Sequence, residues 1–212
     1  DLIDGIAEEM RLDPTVITLG EGIGERGGSY AQTKNLWQEF GSSRVIDVPI
    51  CENGFTGMAI GAAASGLKPI VDLMFADMLF EAMGPLCHQA GKLHHMSNGG
   101  VSVPMVVRAQ MGGRTSGAHH SACPYSLFMQ CPGFKVVAPS NPADAKGLIK
   151  ASIRDPNPVI FFEHKFLYPK KDEVPDGEYV IPIGEAKVVR EGGDVTVVAI
   201  SSAPNASGHS KP

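Results

Sequence analysis

Short runs rich in β-branched and aromatic residues alternate along this chain with stretches whose apolar residues recur at helical spacing. Val16-Ile-Thr-Leu19, Arg44–Val48, Pro69–Leu73, Pro104–Arg108, Lys135–Ala138 and Pro158–Glu163 read as strands. Asn53–Ser65, Leu79–His95, Ser121–Gln130 and Ala143–Arg154 read as helices, and Leu2, Ile3, Ile6 and Met10 keep helical spacing from the first residues. The alternation predicts an α/β fold: a doubly wound, mainly parallel sheet with helices on both faces. Sheets of this kind bind ligands beyond the carboxyl ends of their strands. From Phe166 the pattern changes. Lys170-Lys171-Asp172-Glu173 reads as a charged turn, Tyr179–Ile183 and Ala186–Arg190 as hairpin strands, and Val195–Ile200 as a last strand. Three regions are therefore expected: an α/β domain over 1–165, a connector over 166–201, and a disordered tail over 202–212 where the chain reads as truncated.

Composition supports a folded core and narrows the partners. Hydrophobic residues make up 43% of the chain and charged residues only 19%, so there is enough apolar surface to offset the entropy of ordering. A formal net charge of −5 argues against general nucleic-acid binding, which needs a basic field to displace counterions. No apolar run approaches the ~18 residues of a membrane span, and the opening Asp-Leu-Ile-Asp does not read as a signal peptide. The four cysteines, at 51, 87, 123 and 131, form no CxxC pair, which fits a reducing compartment. The 25 glycines and 16 prolines have no short period. They predict many tight turns, or backbone that approaches something closely.

Three motifs carry candidate chemistry. Gly22-Ile-Gly24-Glu-Arg-Gly27 follows a strand and has the form of a dinucleotide fingerprint. No helix follows at once, however, and Glu21 and Glu25 would face the phosphates, so a glycine-rich active-site loop is the better reading. His119, His120 and Cys123 have spacing that could present metal ligands, but the rest of a ligand set is missing and Pro124 disturbs the turn. Glu52 stands where a strand gives way to a helix. On position alone it is a first-turn acid favoured by the helix dipole.

A longer series of ordered motifs changes the weight of Glu52. Gly20-Glu21 with Gly27-Gly28 is followed by Phe40-Gly, Arg44-Val-Ile-Asp-Val-Pro-Ile-Cys-Glu52 and Gly57-Met-Ala-Ile-Gly-Ala-Ala. Phe75-Ala-Asp77, His120-Ser121, Pro132-Gly-Phe-Lys-Val-Val-Ala-Pro-Ser, Asp144-Ala-Lys-Gly-Leu-Ile-Lys, Arg154-Asp-Pro-Asn-Pro and Asp194-Val-Thr-Val-Val-Ala come after them in order. With these the chain, to about Ser201, resembles the beta subunit of the thiamine-diphosphate-dependent decarboxylating component of 2-oxo acid dehydrogenases. The resemblance implies a transketolase-like pyrimidine-binding fold and oxidative decarboxylation of a 2-oxo acid with acyl transfer to lipoamide. Pyruvate is the favoured substrate, with acetoin and branched-chain 2-oxo acids as alternatives.

The resemblance also implies roles for particular residues. Glu52 matches the glutamate that hydrogen-bonds N1′ of the cofactor's aminopyrimidine, Met74 and Met78 fall where residues line that ring, and His120 matches the histidine that handles the intermediate and passes on the acyl group. Met105, Ser152, Ile153, Asp155 and Asn157 align with a monovalent-cation (potassium) site of some members, built mostly from backbone carbonyls. The chain has no Gly-Asp-Gly motif to hold Mg²⁺ and diphosphate. Those are expected from an alpha subunit in an α2β2 heterotetramer, which in turn serves a lipoyl-bearing acyltransferase. The small residues of Gly57–Gly66 suit close packing at such an interface. The implied compartment is the bacterial cytoplasm or the mitochondrial matrix, with neither nucleic acid nor membrane as partner.

Two departures stand out. Ala122 replaces the Gln that usually follows His-Ser, and Gly84-Pro85 replaces an Asp-Gln pair, which should disturb a helix the family keeps regular unless that helix begins after Pro85. Two rival functions remain: a catalytically silent, truncated module that docks an alpha subunit, and a nucleotide-binding oxidoreductase using Gly22–Gly27.

Overall fold

A computed structural model of the chain describes residues 2–113 and 117–203. Six strands form one all-parallel sheet in the order β2-β1-β3-β4-β6-β5. They are β1 (Val16–Gly20), β2 (Val45–Asp47), β3 (Lys68–Phe75), β4 (Val106–Met111), β5 (Lys135–Val137) and β6 (Val159–His164). Strand side chains alternate between two buried faces, as a sheet covered on both sides requires. Val71, Leu73, Val107, Ala109, Ile160 and Phe162 face α3 (Glu52–Ala64) and the helical turns that follow β3. Ile70, Val106, Val159 and Phe161 face α1 (Leu2–Leu12) and α6 (Pro142–Arg154). Doubly wound α/β architecture was the expectation, and it is the architecture found.

Ion pairs reinforce the packing of α1 on α6. Lys146, Lys150 and Arg154 stand one turn apart on α6, so their charges line one face. Glu8 pairs with Lys146 (2.7 Å) and Lys150 (2.8 Å), and Glu9 accepts from Arg154 at 2.6 and 2.9 Å. Glu178, from the segment after the domain, joins Lys150 and Arg154. The helices also approach closely, because a Cβ at Gly5 would lie 2.8 Å from Ile149.

The structure corrects four expected elements. The helix expected over Leu79–His95 is broken into a 3₁₀ turn (Ala76–Leu79), a π-helical turn (Gly84–Ala90) and the short α4 (Leu93–Met96). Pro85 has no N–H and sits in the first turn of the π-helical piece, so the i→i−4 ladder cannot run through it. The expected helix Ser121–Gln130 is confined to α5 (Tyr125–Met129), with the rigid Pro124 before it. The hairpin expected over Tyr179–Ile183 and Ala186–Arg190, and the strand over Val195–Ile200, are not formed. The first run is engaged elsewhere: the Ile181 backbone N–H donates to the Gly147 carbonyl at 3.2 Å and the Tyr179 side-chain hydroxyl to the Ala143 carbonyl at 2.9 Å, both on α6. Val188, Val189, Val195, Val197 and Val198 are exposed. Of the expected tail, residues 204–212 lie outside the described residues, as do 114–116 of the expected loop Gly112–Gly117. Among the described residues no helix is long and apolar enough to cross a membrane.

The turn from α1 into β1 is held by a carboxylate. Asp13 accepts from the Thr15 hydroxyl (2.6 Å) and N–H (2.8 Å) and lies 3.0 Å from the Lys68 ammonium. The Thr15 hydrogen bonds outweigh partial burial, and with Lys68 they hold its pKa at about 2 instead of 3.8. A carboxylate lowered in this way adds stability above its ordinary pKa and loses it as pH falls through the folded value. Asp13→Asn is therefore expected to lower the Tm at neutral pH, with the gap from wild type closing between pH 3.8 and about 2. Thermal melts across that range measure it, and a gap independent of pH would contradict the assignment.

Candidate active site

Chain order and sheet order diverge at β1. The chain goes from β1 to β2 on one side and then crosses to β3 on the other. The carboxyl ends of β1 and β3 therefore open a crevice at the switch point, where open α/β sheets bind ligands. Glu21 leaves the end of β1, Glu52 opens α3 after β2, and Met74 and Phe75 end β3. His120 ends a 3₁₀ turn after β4, and Lys165 follows β6. The four side chains expected to act on the pyrimidine side thus all lie at one edge of the sheet. The residues expected to hold a cation, Met105 before β4 and Ser152, Ile153, Asp155 and Asn157 before β6, lie at the opposite edge.

Glu21 and Glu52 are close enough to interact. Burial pushes the Glu21 carboxyl up, and the nearby charges of Glu52 and then Asp72 push it further. Glu21 Oε1 is buried without a hydrogen-bond partner among the described residues. A protonatable acid with an unpaired oxygen, beside a second carboxylate, can hold a proton against a basic ring nitrogen.

Met74 has left-handed backbone, with φ of 62°, which costs a side-chain-bearing residue roughly 1–3 kcal/mol. The compensating bond is visible: the Met74 N–H donates to Asp72 Oδ1 at 2.9 Å, where the β3–β4 register slips between Asp72 and Phe75. The Met74 sulfur in turn accepts from the Ser29 hydroxyl at 3.3 Å. Met78 lies one turn on and packs partly buried against the core.

Phe75 joins the loops around the crevice. Tyr30 meets its ring edge-on at 6.1 Å, the His120 ring lies 4.3 Å away, and the Lys165 ammonium stands 5.3 Å from its centroid. Lys165 is fully buried and donates to the His120 carbonyl. The turn bearing His120 is also tied to the 3₁₀ turn after β3, since the Ala122 N–H donates to Asp77 at 3.2 Å.

Under this edge lies a buried polar layer that sequence reasoning passed over. Arg108 makes a forked pair with Glu163, at 2.6 and 3.0 Å, lies 3.6 Å from Asp72, and donates to the Gln32 carbonyl at 3.3 Å. The Tyr168 hydroxyl donates to Glu163 at 2.8 Å. Burial works against the Arg108 charge, but Glu163 and Asp72 outweigh it and hold the guanidinium above its ordinary pKa. Burial pushes Asp72 up, against the pull of Arg108, and Glu163 adds to the rise. A cavity of about 260 Å³ lies over this layer, lined by Tyr30, Gln32, Arg108, Glu163 and Tyr168 among others. The signal was present in the sequence: Asp72, Arg108 and Glu163 each interrupt an apolar strand, where a charge is rarely buried unless paired.

Two rival readings meet this geometry. The loop after Gly22 leads into turns, and the next helix, α2, begins only at Leu36. Gly24 donates to Asp47 at 3.1 Å and leaves no room for a Cβ there. The loop is folded onto a carboxylate and is not opened onto a helix N-terminus. His119 and His120 pack ring against ring at 4.2 Å, and among the described residues no three His, Cys, Asp or Glu side chains gather to hold a metal.

Comparison with known proteins follows the same lines. The sequence profile described as "Transketolase, pyrimidine binding domain" matches residues 3–171. The chain belongs to this family. Its curated relatives include the pyruvate dehydrogenase E1 component subunit beta of Porphyra purpurea, 49% identical over 92% of this chain and 59% of that protein. The chloroplastic E1 subunit beta-3 of Arabidopsis thaliana is 47% identical over 94% of this chain and 50% of its own length. The 2-oxoisovalerate dehydrogenase subunit beta of Bacillus subtilis is 47% identical over 90% of this chain and 59% of its own. The chain thus spans between half and three-fifths of these relatives. Among solved structures, a split-gene transketolase described as an inactive beta4 tetramer superposes with a TM-score of 0.76 over 95% of this chain and 61% of that one. At 19% identity that likeness concerns the fold alone.

The pyrimidine-binding domain depends on Arg108 remaining fully paired. Removing one partner of a buried ion pair leaves an uncompensated charge and costs about 3–5 kcal/mol. Glu163→Gln is expected to lower unfolding stability by about 3 kcal/mol, while Glu39→Gln, which breaks the exposed pair with Arg11, stays within about 1 kcal/mol. Urea unfolding of both variants measures the contrast, and equal losses would refute the weight given to Arg108.

Proposed function

We propose that this chain is the pyrimidine-side part of a 2-oxo acid dehydrogenase beta subunit that works with an alpha subunit on thiamine diphosphate. The observation that carries the proposal is the Glu21–Glu52 pair at the switch point, with one carboxyl oxygen buried and unpartnered. That oxygen and its neighbour fit a ligand carrying ring nitrogens and an amino group. When bound, the cofactor would supply the nucleophilic centre and electron sink that 2-oxo acid decarboxylation needs. In this reading Glu52 would hold a proton at the ring nitrogen N1′, with the Glu21 carboxyl interacting with it. Met74 and Met78 would line the ring, where flexible thioethers adapt to a flat surface. His120, stacked on Phe75 and held through its carbonyl by Lys165, assists transfer of the acyl group to a lipoyl domain.

The small-residue face of α3 supports an alpha partner. A Cβ at Gly57 or Gly61 would meet nothing within 4 Å in this chain, and Met58 beside them is exposed, so the face is open for close packing. In the same reading Mg²⁺ and the diphosphate are held by the partner, completing an α2β2 assembly that serves an acyltransferase. A monovalent cation at the amino edge would be held by Met105, Ser152, Ile153, Asp155 and Asn157, mostly through backbone carbonyls. The Asp155 carboxylate there is already paired with Lys135 and accepts from Asn157. Pyruvate is the proposed substrate. The Bacillus relative, named for 2-oxoisovalerate, keeps branched-chain 2-oxo acids as the alternative, and a substrate screen of the assembled enzyme separates them.

The test uses the full-length subunit assembled with its alpha partner. Glu52→Gln is expected to lower 2-oxo acid turnover by about 10²-fold or more, the usual scale for a lost proton-transfer group. His120→Ala is expected to spare decarboxylation read with an artificial electron acceptor while reducing lipoyl-domain acylation. Near-normal turnover of Glu52→Gln would refute the proposed role of the chain, and unchanged acylation would remove His120 from the site.

A further inference from the structure

Away from the crevice, a cluster of sulfur atoms joins two segments that lead out of it. Cys87 Sγ lies 2.9 Å from Cys131 Sγ and 3.9 Å from the Met83 sulfur. Cys87 belongs to the π-helical turn that continues from Met78, and Cys131 follows α5, downstream of His120. The two segments are in backbone contact beside the pair, since Gly91 and Gly133 approach so closely that a Cβ at Gly133 has no room. Nearer the crevice the same segments are tied by the Ala122–Asp77 hydrogen bond. Both thiols are half-buried, whereas Cys51 and Cys123 are exposed.

We infer that Cys87 and Cys131 are a redox site, closing to a disulfide under a hydroperoxide and reopening under a dithiol. Packing of the two segments on both sides of the sulfurs brings the thiols together before any oxidant arrives, so closure needs no large movement. Burial, with the neighbouring Cys131 sulfur adding to it, pushes the Cys87 thiol up to about 12. Cys131 Sγ lies in an exposed contact with the Leu127 carbonyl at 3.7 Å, so Cys131 is the sulfur that meets the oxidant. Cys131 attacks the hydroperoxide, the O–O bond breaks, and an alcohol leaves as the sulfenic acid forms. Cys87 Sγ then displaces the hydroxyl, which departs as water with the Cys87 proton. The two thiols lose two electrons and the peroxide gains them. The new bond would add a covalent tie to the Ala122–Asp77 contact between the segments bearing Met78 and His120. A reversible disulfide of this kind is the form expected in a reducing compartment, and its chemistry stands whether or not the proposed reaction does.

The experiment treats the full-length subunit, assembled with its partner, with cumene hydroperoxide, then alkylates it under denaturing conditions and maps tryptic peptides. Cys51 and Cys87 share one peptide, because trypsin does not cut Lys68 before Pro69, and Cys123 and Cys131 share another, so fragment ions must assign the link. A peptide pair joined through Cys87 and Cys131, lost after dithiothreitol, is expected. Cys87→Ser should abolish it and leave a Cys131 sulfenic acid that dimedone traps. Full alkylation of both Cys87 and Cys131 at a dose that oxidises Cys51 or Cys123 would overturn the inference, as would a link from either to another cysteine.

Discussion

The forked pair between Arg108 and Glu163 is the constraint on which the rest of the domain depends. A guanidinium and a carboxylate, each at most 4% exposed, are unaffordable separately and acceptable together, because each replaces the water the other has lost. β4 and β6 must therefore lie side by side, with Arg108 opposite Phe161 and two residues before the Gln110↔Glu163 pair. A slip of one residue would turn Arg108 onto the apolar face occupied by Val107 and Ala109. The pair thus fixes register in a sheet whose other contacts, Val and Ile on neighbouring strands, would tolerate sliding more easily.

Arg108 has further donors, and their use explains how a core interaction shapes a surface crevice. One reaches the Gln32 carbonyl and so anchors the loop after β1 that carries Glu21 and Tyr30. Another faces Asp72, whose second oxygen accepts from the Met74 N–H and offsets the left-handed backbone there. On the far side, Glu163 takes the Tyr168 hydroxyl, and Tyr168 packs against Tyr30 at 5.7 Å. The strain at Met74 persists because β3 is held in register on both sides of it. Rigid strands position the loops that carry the candidate side chains.

How much of this was legible depended on whether the determinant was local. The short, nearly continuous β-branched and aromatic runs at Val16–Leu19, Pro69–Leu73 and Pro158–Glu163 predicted their strands because both faces are buried and apolar. The disturbance at Pro85 was legible too, since a proline has no N–H for the ladder and is tolerated only in a helix's first turn, where Pro85 stands. The apolar runs after residue 179 misled for the complementary reason. Their β-propensity was real, but a strand exists only with a partner, and Ile181 finds α6 instead. Among site residues, Glu52 was visible at a strand-to-helix junction and in an ordered motif series. Asp72, Arg108 and Glu163 stood out only as charges inside apolar strands. That pattern marks burial without saying which charges meet, because pairing is set by sheet order, which runs β3-β4-β6 and not in chain order.

The sign of the charge around the crevice bears on why such a site would be divided between chains. Glu21, Glu52 and Asp72 interact there, and the nearby cations are engaged: Arg108 with two carboxylates, Lys165 with the His120 carbonyl. An acidic edge suits a ring whose nitrogens take and give protons, and it repels a diphosphate. If one chain held both ends of such a cofactor, the carboxylates that tune the ring would also oppose its charged tail. Placing the metal and phosphate ligands on a second chain separates the two requirements by the length of the cofactor. The open glycine face of α3, whose first residue is Glu52, would then let the interface form directly beside the residue that addresses the ring.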